Sequence, residues 1–394
     1  MYLFPAIAES VRHDIPFSYG AMGLISGSVQ AGFLVSSALA GFLTLRFGAM
    51  NLILFSISVC ALALGGLIFA RSVVMLGAAL VVLGICASLI WVPMVEVSRD
   101  IIPPHNRGKA LGLMSSGTSY GVMVNSGLLA VVLPTYGWRP LWAIACVLVL
   151  LLSGYAVLRL GPMRSLNLGE AAALQTARPR AWGRVPALPR RLVAGILLMM
   201  FLNGLSCIPF QTYLSTYLIG EIGLGEARAA SAWGLIGLVG MFSGFLMGAV
   251  ADRISIRRGM MVTYLVLMVA AISASLAGAS GFGLALVYVA ATAFGLSFYA
   301  IFGLVPAYIS HLFGQGDAAI VFAFGNVALG LGGITGNLLG GYTKELSGSF
   351  HVMYALILAS ALGSAVIAML LPREAGRDLG PGLGLGDEPL EASV

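Results

Sequence analysis

The amino-acid sequence predicts an all-α polytopic membrane protein built from two similar helix bundles, and three observations predict this fold class. The first is composition: 59% of the 394 residues are hydrophobic and only 9% are charged, against roughly 25% charged residues in a soluble domain. The second is a series of apolar segments of about 20 residues, each long enough to cross the hydrocarbon core of a bilayer as a helix. The third is a loop motif that occurs twice, 207 residues apart. A repeat of about half the chain indicates two related halves.

Eleven complete membrane spans are predicted. Backbone N–H and C=O groups in lipid must be satisfied within their own segment, so each span is a helix. The predicted spans cover residues 21–45, 51–70, 73–96, 109–133, 140–159, 192–219, 229–251, 259–279, 282–311, 318–343 and 350–371.

Loop composition divides the chain into four parts. Residues 1–159 are predicted to form an N-terminal bundle, and residues 192–371 a C-terminal bundle of six helices. Residues 160–191 are basic and contain four prolines, which favours a cytoplasmic linker with little fold of its own; lipid or partner binding by this segment is the alternative. Residues 372–394 combine glycines with scattered acids and are predicted to be a disordered cytoplasmic tail.

The distribution of lysine and arginine predicts the orientation. One set of alternate loops contains only Arg12, Arg71, Arg139, Arg228 and Lys344, and the opposite loops and the tail contain the rest of the 21 basic residues. Because cytoplasmic loops carry the excess of positive charge, the C-terminus is predicted to be cytoplasmic and Met1 to lie outside. The net charge of +6 follows this topology, so nucleic-acid binding is not predicted. The expected location is a bacterial-type inner (plasma) membrane.

The repeated loop motif is clear in the second half of the chain and weaker in the first. The clear copy consists of Gly248, Asp252, Arg253, Arg257 and Arg258, with Ser255 in place of a glycine. The weaker copy keeps Gly41, Arg46 and Gly48, with Leu45 in place of the acid. A G-x-x-x-D-R-x-G-x-R-R loop repeated between membrane spans resembles the major facilitator superfamily of secondary transporters, and the resemblance covers essentially the whole chain.

This resemblance implies a function and a cytoplasmic gate. It implies two six-helix halves that move a small organic solute by alternating access, with a proton or another ion as the coupling partner. It also implies that the loop motif helps to hold the cytoplasmic side closed. Asp252 is expected near Arg107 and Lys109 at the start of one helix, where the partial positive charge of a helix N-terminus favours an acid, and Arg46 near Asp317 at the start of another. The alternative is that the arginines only anchor the topology.

The family has twelve helices, and the sequence supplies eleven complete ones. Met1–Ala8 is predicted to be the end of a first helix, followed by an external loop over Glu9–Tyr19. Eight helical residues are too short to cross a bilayer. Two explanations stay open: the start codon lies further upstream, or the chain lacks most of its first helix.

Uncharged polar residues within the spans are the candidates for solute binding. Amide side chains in hydrocarbon are costly unless they face protein or water, and the resemblance places several of these spans around a central cavity. The candidates are Asn203, Gln211, Tyr213, Tyr217, Tyr120, Asn125, Tyr299, Asn326 and Trp91. Hydrogen bonding between helices is the alternative role for the same residue types.

Charged residues are rare within the spans. Apart from residues at helix ends, the one acid is Glu96, which makes it the candidate for proton coupling; an interfacial acid paired with Arg99 or Arg107 is the alternative. The spans contain no lysine or arginine to bind a strongly anionic solute and no acid cluster to bind a polyvalent cation. A neutral, weakly ionic or amphiphilic solute is therefore favoured.

Several functional classes are not predicted. The sequence contains no phosphate-binding loop, no zinc-protease motif and no nucleophile–base pair, so an enzyme, a cofactor and a metal site are not expected. The four cysteines lie in apolar spans and are expected to be packed as free thiols. The predicted partners are a small-molecule substrate, a coupling proton or ion and membrane lipid, with the protein a monomer. A facilitative uniporter and a non-transporting receptor or scaffold remain as alternatives.

Overall fold

The chain forms a bundle of helices without β-structure wherever its conformation is defined. The computed structural model describes residues 2–101, 107–160, 189–278, 283–313 and 315–373, and within these ranges there are twelve α-helices and no strand. In chain order they are α1 (Leu3–Asp14), α2 (Tyr19–Phe47), α3 (Ala49–Ile68), α4 (Val73–Ile101), α5 (Arg107–Tyr136), α6 (Arg139–Leu160), α7 (Arg190–Gly220), α8 (Glu226–Ile254), α9 (Ile256–Ala277), α10 (Gly283–Leu312), α11 (Gln315–Ser347) and α12 (His351–Leu370). The predicted all-α fold class is confirmed.

Eleven of the described helices are long and apolar enough to cross a membrane, and α1 is the exception. This confirms the number of complete spans predicted from the sequence. Some helices extend beyond the predicted spans: α11 ends at Ser347 rather than 343, because its last turns carry polar residues such as Lys344 and Glu345 that hydrophobicity alone excludes. The predicted linker and tail lie almost entirely outside the described residues, so the four-part division stays a prediction.

Helix α1 is longer than the sequence predicts. The loop predicted over Glu9–Tyr19 is wrong, since the helix continues to Asp14 and only residues 15–18 separate it from α2. The Arg12 guanidinium donates hydrogen bonds to the Glu9 carboxylate (3.0 Å) and to the C=O of Phe17 (3.0 Å), and Val11 is fully buried. These contacts stabilise the last turn of the helix. Twelve helical residues nevertheless reach only about 18 Å.

The two halves of the chain repeat the same packing. In the first half α4 contacts α2 and α3, and α3 contacts α6. In the second half α10 contacts α8 and α9, and α9 contacts α12. Each contact recurs six helices later. By the same offset α1 corresponds to α7: α1 contacts α5, as α7 contacts α11.

Among the described residues, the main contacts between the halves are those of α2 with α11, α5 with α8 and α1 with α7. Small residues let the backbones approach closely. A Cβ atom at Gly23 would lie 2.4 Å from the carbonyl oxygen of Asn337, and one at Gly237 would lie 2.9 Å from the backbone nitrogen of Met123. Both distances are shorter than real Cβ contacts, so these crossings of α2 with α11 and of α5 with α8 require glycine.

The halves touch near one face of the bundle, which we call the outer face, following the predicted orientation. It is the face that carries the loops 15–18, 69–72, 137–138, 221–225 and 348–350. On α2 the contacts with α11 run from Gly23 near this face to Leu34 at mid-depth, which lies against Gly330. On α8 the contacts with α5 run from Gly234 to Gly240.

Towards the opposite, arginine-rich face the same helix surfaces are uncovered. Ala38, Gly41 and Leu45 lie further along the same face of α2 that carries Gly23 and Leu34, and all three are exposed. On α8, Gly244 continues the stripe that contacts α5, and nothing lies within 4 Å of its position for a Cβ atom. These four residues define the walls of an opening between the halves, which we call the cleft.

Candidate functional site

The nine polar candidates fall into a buried group and an accessible group. Buried on α7 are Asn203, Gln211, Tyr213 and Tyr217. Half-buried or exposed, on α4, α5, α10 and α11, are Trp91, Tyr120, Asn125, Tyr299 and Asn326. Only the second group has side-chain surface that a solute could touch in this conformation.

The buried tyrosines Tyr213 and Tyr217 hold helices together. The Tyr213 hydroxyl donates to the C=O of Asn337 on α11 (2.7 Å), and the Tyr217 hydroxyl donates to the C=O of Ala274 on α9 (2.6 Å). Both rings also lie against Phe350, with centroids 5.3 and 6.1 Å away. In this conformation both tyrosines thus make the interhelical contacts that are the alternative to solute binding.

The amides on α7 are also enclosed. Asn203 is 2% exposed and its Oδ1 accepts the S–H of Cys207, one turn along the same helix (3.3 Å). Gln211 is 5% exposed. One turn beyond it, the Ser215 hydroxyl accepts the indole N–H of Trp233 on α8 (2.8 Å). Polar groups of α7 therefore lie in the closed part of the bundle, between helices.

Tyr299 is the candidate placed most directly between the halves. It lies on α10, and its ring is so close to α8 that a Cβ atom at Gly240 would be 2.4 Å from two ring carbons. The same Cβ atom would be 3.2 Å from the hydroxyl of Ser119 on α5. Tyr299 therefore joins α8 and α10 of the second half to α5 of the first. Tyr120, the residue that follows Ser119, is 44% exposed.

One polar residue of this region was missed by the sequence reasoning. Gln30 lies on α2 between Gly27 and Leu34, which face Ile334 and Gly330 of α11, and its side chain is half-buried. The signal was present in the sequence, because an amide in the middle of an apolar span is costly unless it faces protein or water. Gln30 lies where the contact between the halves gives way to the cleft.

The two loops of the repeated motif adopt the same unusual backbone conformation. Gly48 and Ser255, which are 207 positions apart, have φ angles of +81° and +113°. Each donates its N–H to the C=O four residues earlier at 2.8 Å, that of Thr44 or Ala251, and each ends one helix directly before the next. Ser255 stands where the motif has glycine, and non-glycine residues rarely adopt such a φ.

The charged residues of the motif are mostly exposed. Arg46, Asp252, Arg253 and Arg258 point away from the bundle, and Asp317 is half-buried. The Arg46 guanidinium lies 5.5 Å from the ring centroid of the adjacent Phe47. Arg257 donates hydrogen bonds to the C=O groups of Met369 (3.3 Å) and Leu371 (2.9 Å) at the end of α12. A cation at that position also suits the negative end of the helix dipole.

No ion pair closes the arginine-rich face among the residues whose side chains the structure describes. The expected pair of Arg46 with Asp317 is not formed, and the side chains of Arg107 and Lys109, expected beside Asp252, lie outside the described part. The salt bridges of the described residues are all near the outer face: Arg12–Glu9, His13–Asp14, Arg139–Asp14 and Lys344–Glu221. The role of these residues in a cytoplasmic gate stays a prediction.

The outer face carries a polar network that the sequence reasoning did not predict. The Glu221 carboxylate accepts hydrogen bonds from the Lys344 ammonium, from the backbone N–H of Phe350 (2.8 Å) and from the hydroxyl of Ser349 (3.2 Å). The Lys344 Nζ also lies 4.8 Å from the ring centroid of Phe350 and 5.4 Å from that of Tyr19. These contacts join the ends of α7 and α11 to the start of α12 and bring them against α2.

Two further expectations concern proton coupling and metals. The side chain of Glu96, the proton-coupling candidate on α4, lies outside the described part of the chain. Within the described residues no group of three or more His, Cys, Asp or Glu side chains could hold a metal ion. The four cysteines are free.

Comparison with known proteins identifies what the chain is similar to. A sequence profile described as Major Facilitator Superfamily matches residues 1–337. The chain is 22% identical to a hexuronate transporter of Bacillus subtilis (strain 168), over 92% of this chain and 87% of that protein. It is 23% identical to a gallate transporter of Pseudomonas putida, over 91% of this chain and 85% of that protein.

The fold has a counterpart among solved structures. The crystal structure of a D-xylose–proton symporter matches with a TM-score of 0.72 over 95% of both chains. Since the sequence identity is only 15%, this likeness concerns the fold alone.

Proposed function

The chain belongs to the major facilitator superfamily, and from that premise we propose that it is a secondary active transporter working by alternating access between its two halves. The family and the similar proteins are transporters of small organic solutes, so the chain is a membrane transporter rather than an enzyme. Its helices make it an integral membrane protein.

One observation carries the alternating-access proposal. The two halves repeat the same packing, touch near the outer face and separate at the arginine-rich face, where the cleft begins. Two repeated units that can rock against each other around glycine-lined contacts offer a second arrangement, with the cleft closed and the outer face open. In that arrangement the exposed loop motif, with Asp252, Arg253 and Arg46, would close the arginine-rich face.

The proposed solute is a small organic acid. The similar proteins include the hexuronate and gallate transporters, a cis,cis-muconate transport protein of Acinetobacter baylyi and a probable galactarate/D-glucarate transporter of Bacillus subtilis; all of these compounds carry carboxylates. The sequence itself favours a neutral or weakly ionic solute, because the spans offer no lysine or arginine at mid-depth. A solute with a single carboxylate and several hydroxyl groups satisfies both considerations.

The residues proposed to bind the solute are those with accessible polar surface around the cleft. They are Tyr299, Tyr120, Asn125, Asn326 and Trp91, with Gln30 added; their side chains are half-buried or exposed in this conformation, and we propose that they face the solute. Hydroxyl and amide groups can hydrogen-bond both the hydroxyls and the carboxylate of such a solute. Gln211, Asn203, Tyr213 and Tyr217 would take part only if the outer face opens, because they are enclosed in this conformation.

Transport into proteoliposomes containing the full chain tests these proposals. We expect uptake of at least one acid from a panel of labelled galacturonate, gallate and cis,cis-muconate, no uptake of neutral D-xylose, and stimulation by an inward proton gradient. Tyr299→Phe and Asn326→Ala should each raise KM about fivefold or more, the loss of one hydrogen bond of about 1 kcal/mol. Tyr308→Phe, on the same helix as Tyr299, is the matched control and should leave KM unchanged, since the Tyr308 hydroxyl donates to the C=O of Pro372 after the end of α12 (2.6 Å).

The outcomes separate the alternatives. Uptake by the wild type that responds neither to a proton gradient nor to a sodium gradient would identify a facilitative uniporter. If no solute of the panel is transported or stabilises the protein, a receptor or scaffold is favoured. If Glu96 carries the coupling proton, Glu96→Gln should lose the stimulation by the gradient while still exchanging solute. The proposed orientation, with the C-terminus in the cytoplasm of a bacterial-type inner membrane, can be read from reporter fusions at that end.

A further inference from the structure

Two carboxylates of the second half reach across the interface at the outer face and bind the first half. Glu345, near the end of α11, accepts the backbone N–H of Gly20 in the first turn of α2 (Oε1, 2.9 Å). Glu226, in the first turn of α8, accepts the hydroxyl of Ser10 on α1 (2.6 Å). The partners are 325 and 216 residues apart in sequence, and neither bond is implied by the loop motif.

The position of Glu345 is favourable for a negative charge. The first N–H groups of a helix have no partner within the helix, and the N-terminus carries a partial positive charge. At the start of α2 the Ser18 hydroxyl accepts the N–H of Ala21 (3.1 Å), and Glu345 accepts that of Gly20. The cap of α2 is thus built from both halves of the protein.

The neighbouring cations are already paired with acids of their own half. Arg12 bonds Glu9 within α1 and lies 3.8 Å from the ring centroid of Tyr19. Lys344 bonds Glu221 within the second half. Among the described residues neither lies within ion-pair distance of Glu345. The Ser18 hydroxyl, the Gly20 N–H at the start of α2 and the nearby charge of Arg12 all favour the carboxylate form of Glu345.

We propose that the Glu345–Gly20 contact is a detachable cap, the outer latch, which forms only when the halves close at the outer face and must break for the outer face to open. Ser10–Glu226 is a second contact of the same kind. The contacts of Asp14 at this face stay within one half: its carboxylate accepts the indole N–H of Trp138 (3.0 Å) and the guanidinium of Arg139 (2.8 Å), all in the first half. Such contacts move with their own half and do not oppose opening.

Gly20 lets the latch be tested from both sides. A Cβ atom there would lie 2.9 Å from the Glu345 Oε2, so Gly20→Ala should displace the carboxylate without removing it. Alanine is also a better helix former than glycine by about 1 kcal/mol, so an opening caused by Gly20→Ala would not reflect a weakened α2. Glu345→Ala removes the carboxylate from the opposite half.

The experiment measures the distance between the halves at the outer face by pulsed electron paramagnetic resonance. Spin labels replace two exposed residues of opposite halves, Arg71 on an outer loop and Arg228 in the first turn of α8. The labels are placed in full-length protein whose four native cysteines are changed to alanine, reconstituted in lipid nanodiscs. Glu345→Ala should raise the population at longer distance about threefold or more, the ratio expected for loss of a charge at a helix N-terminus. Gly20→Ala should raise it in the same direction by a smaller factor, because the carboxylate is displaced but still present. Adding Ser10→Ala should increase it further.

Asp14→Asn is the matched control, an outer carboxylate whose partners lie in one half, and it should leave the distance distribution unchanged. The proposal is overturned if Glu345→Ala and Gly20→Ala both leave the distribution of the wild type, or if Asp14→Asn shifts it equally. A monodisperse elution and an unchanged Tm of each variant confirm that it is folded. Because no solute is required, failure here is distinguishable from failure of the transport assays.

Discussion

At the scale of single residues, the structure gives two loop positions a shared physical role. Gly48 and Ser255 occupy equivalent places in the repeat, and both have a positive φ angle. Glycine adopts such an angle without strain, whereas serine does not. Ser255 partly offsets this strain, because its hydroxyl accepts the N–H of Arg258 and caps α9 (3.3 Å).

Ser255 therefore gives a prediction with opposite signs for two small substitutions. Ser255→Gly should stabilise the protein by about 1 kcal/mol, because relief of a strained φ of about 1–3 kcal/mol exceeds the few tenths of a kcal/mol lost when glycine replaces a serine cap. Ser255→Ala should destabilise it by about 1 kcal/mol, because the strain stays and the cap is lost. Thermal unfolding in detergent measures both; equal shifts of Tm for the two variants would contradict this account.

The motif residues show what single positions in a sequence can and cannot predict. The spacing of Gly41, Arg46 and Gly48 from their counterparts predicts the duplication, and the structure bears it out. The polarity of Tyr213 and Tyr217 predicts that they need hydrogen-bond partners, but not that those partners are carbonyl groups of α11 and α9. Which way a side chain points depends on the rotation of each helix, and residue type alone does not specify that rotation.

At the scale of helices, close backbone contacts hold the second half together. A Cβ atom at Gly204 of α7 would lie 1.9 Å from the carbonyl oxygen of Leu329 on α11, and one at Gly332 would lie 2.0 Å from that of Phe201. Lipid supplies no hydrophobic force between helices, so van der Waals contact between such surfaces contributes much of the free energy of helix association. The abundance of glycine predicts close packing in general; the pairing of particular glycines with particular carbonyls depends on the crossing of two helices.

Gly204→Ala tests this contact. We expect a destabilisation of about 1–3 kcal/mol, because the added methyl group meets backbone, which must move to accept it. Gly41→Ala is the matched control: its position on α2 has no neighbour within 4 Å, and it should leave Tm unchanged or slightly higher. A Tm for Gly204→Ala equal to that of the control would refute the proposed close approach of α7 and α11.

At the scale of the whole molecule, the fold was largely predictable and its conformation was not. Eleven spans and two halves follow from hydrophobicity and the repeat. The extent of α1 and the outer latch do not, because they depend on Arg12 with Glu9 and on Glu345 with Gly20, contacts made by polar residues at helix ends. A sequence is also the same in every state of a transport cycle, so it does not indicate which face is open.

Labelling of introduced cysteines tests the open face. In a background without native cysteines, Gly244→Cys and Ala38→Cys should react rapidly with a membrane-impermeant maleimide added to the arginine-rich face, because both line the cleft. Phe245→Cys is the matched control: Phe245 is 79% exposed but neighbours Gly244 on a large apolar surface that we expect lipid to cover, so its labelling should be at least about tenfold slower. Slow labelling of both cleft positions would contradict an opening at that face.

The contact of α2 with α11 has a consequence for biosynthesis. Gly23 meets Asn337, a residue made more than 300 codons later, which at about 5–20 residues per second is a delay on the order of tens of seconds. During that interval the α2 surface from Gly23 to Leu34 has no α11 beside it, and the amide of Gln30 lacks its second-half surroundings. The first half must therefore enter the bilayer with this α2 surface uncovered. Until α11 is synthesised, the stability of this half depends on water, lipid headgroups or other protein that can satisfy the hydrogen bonds of the Gln30 amide.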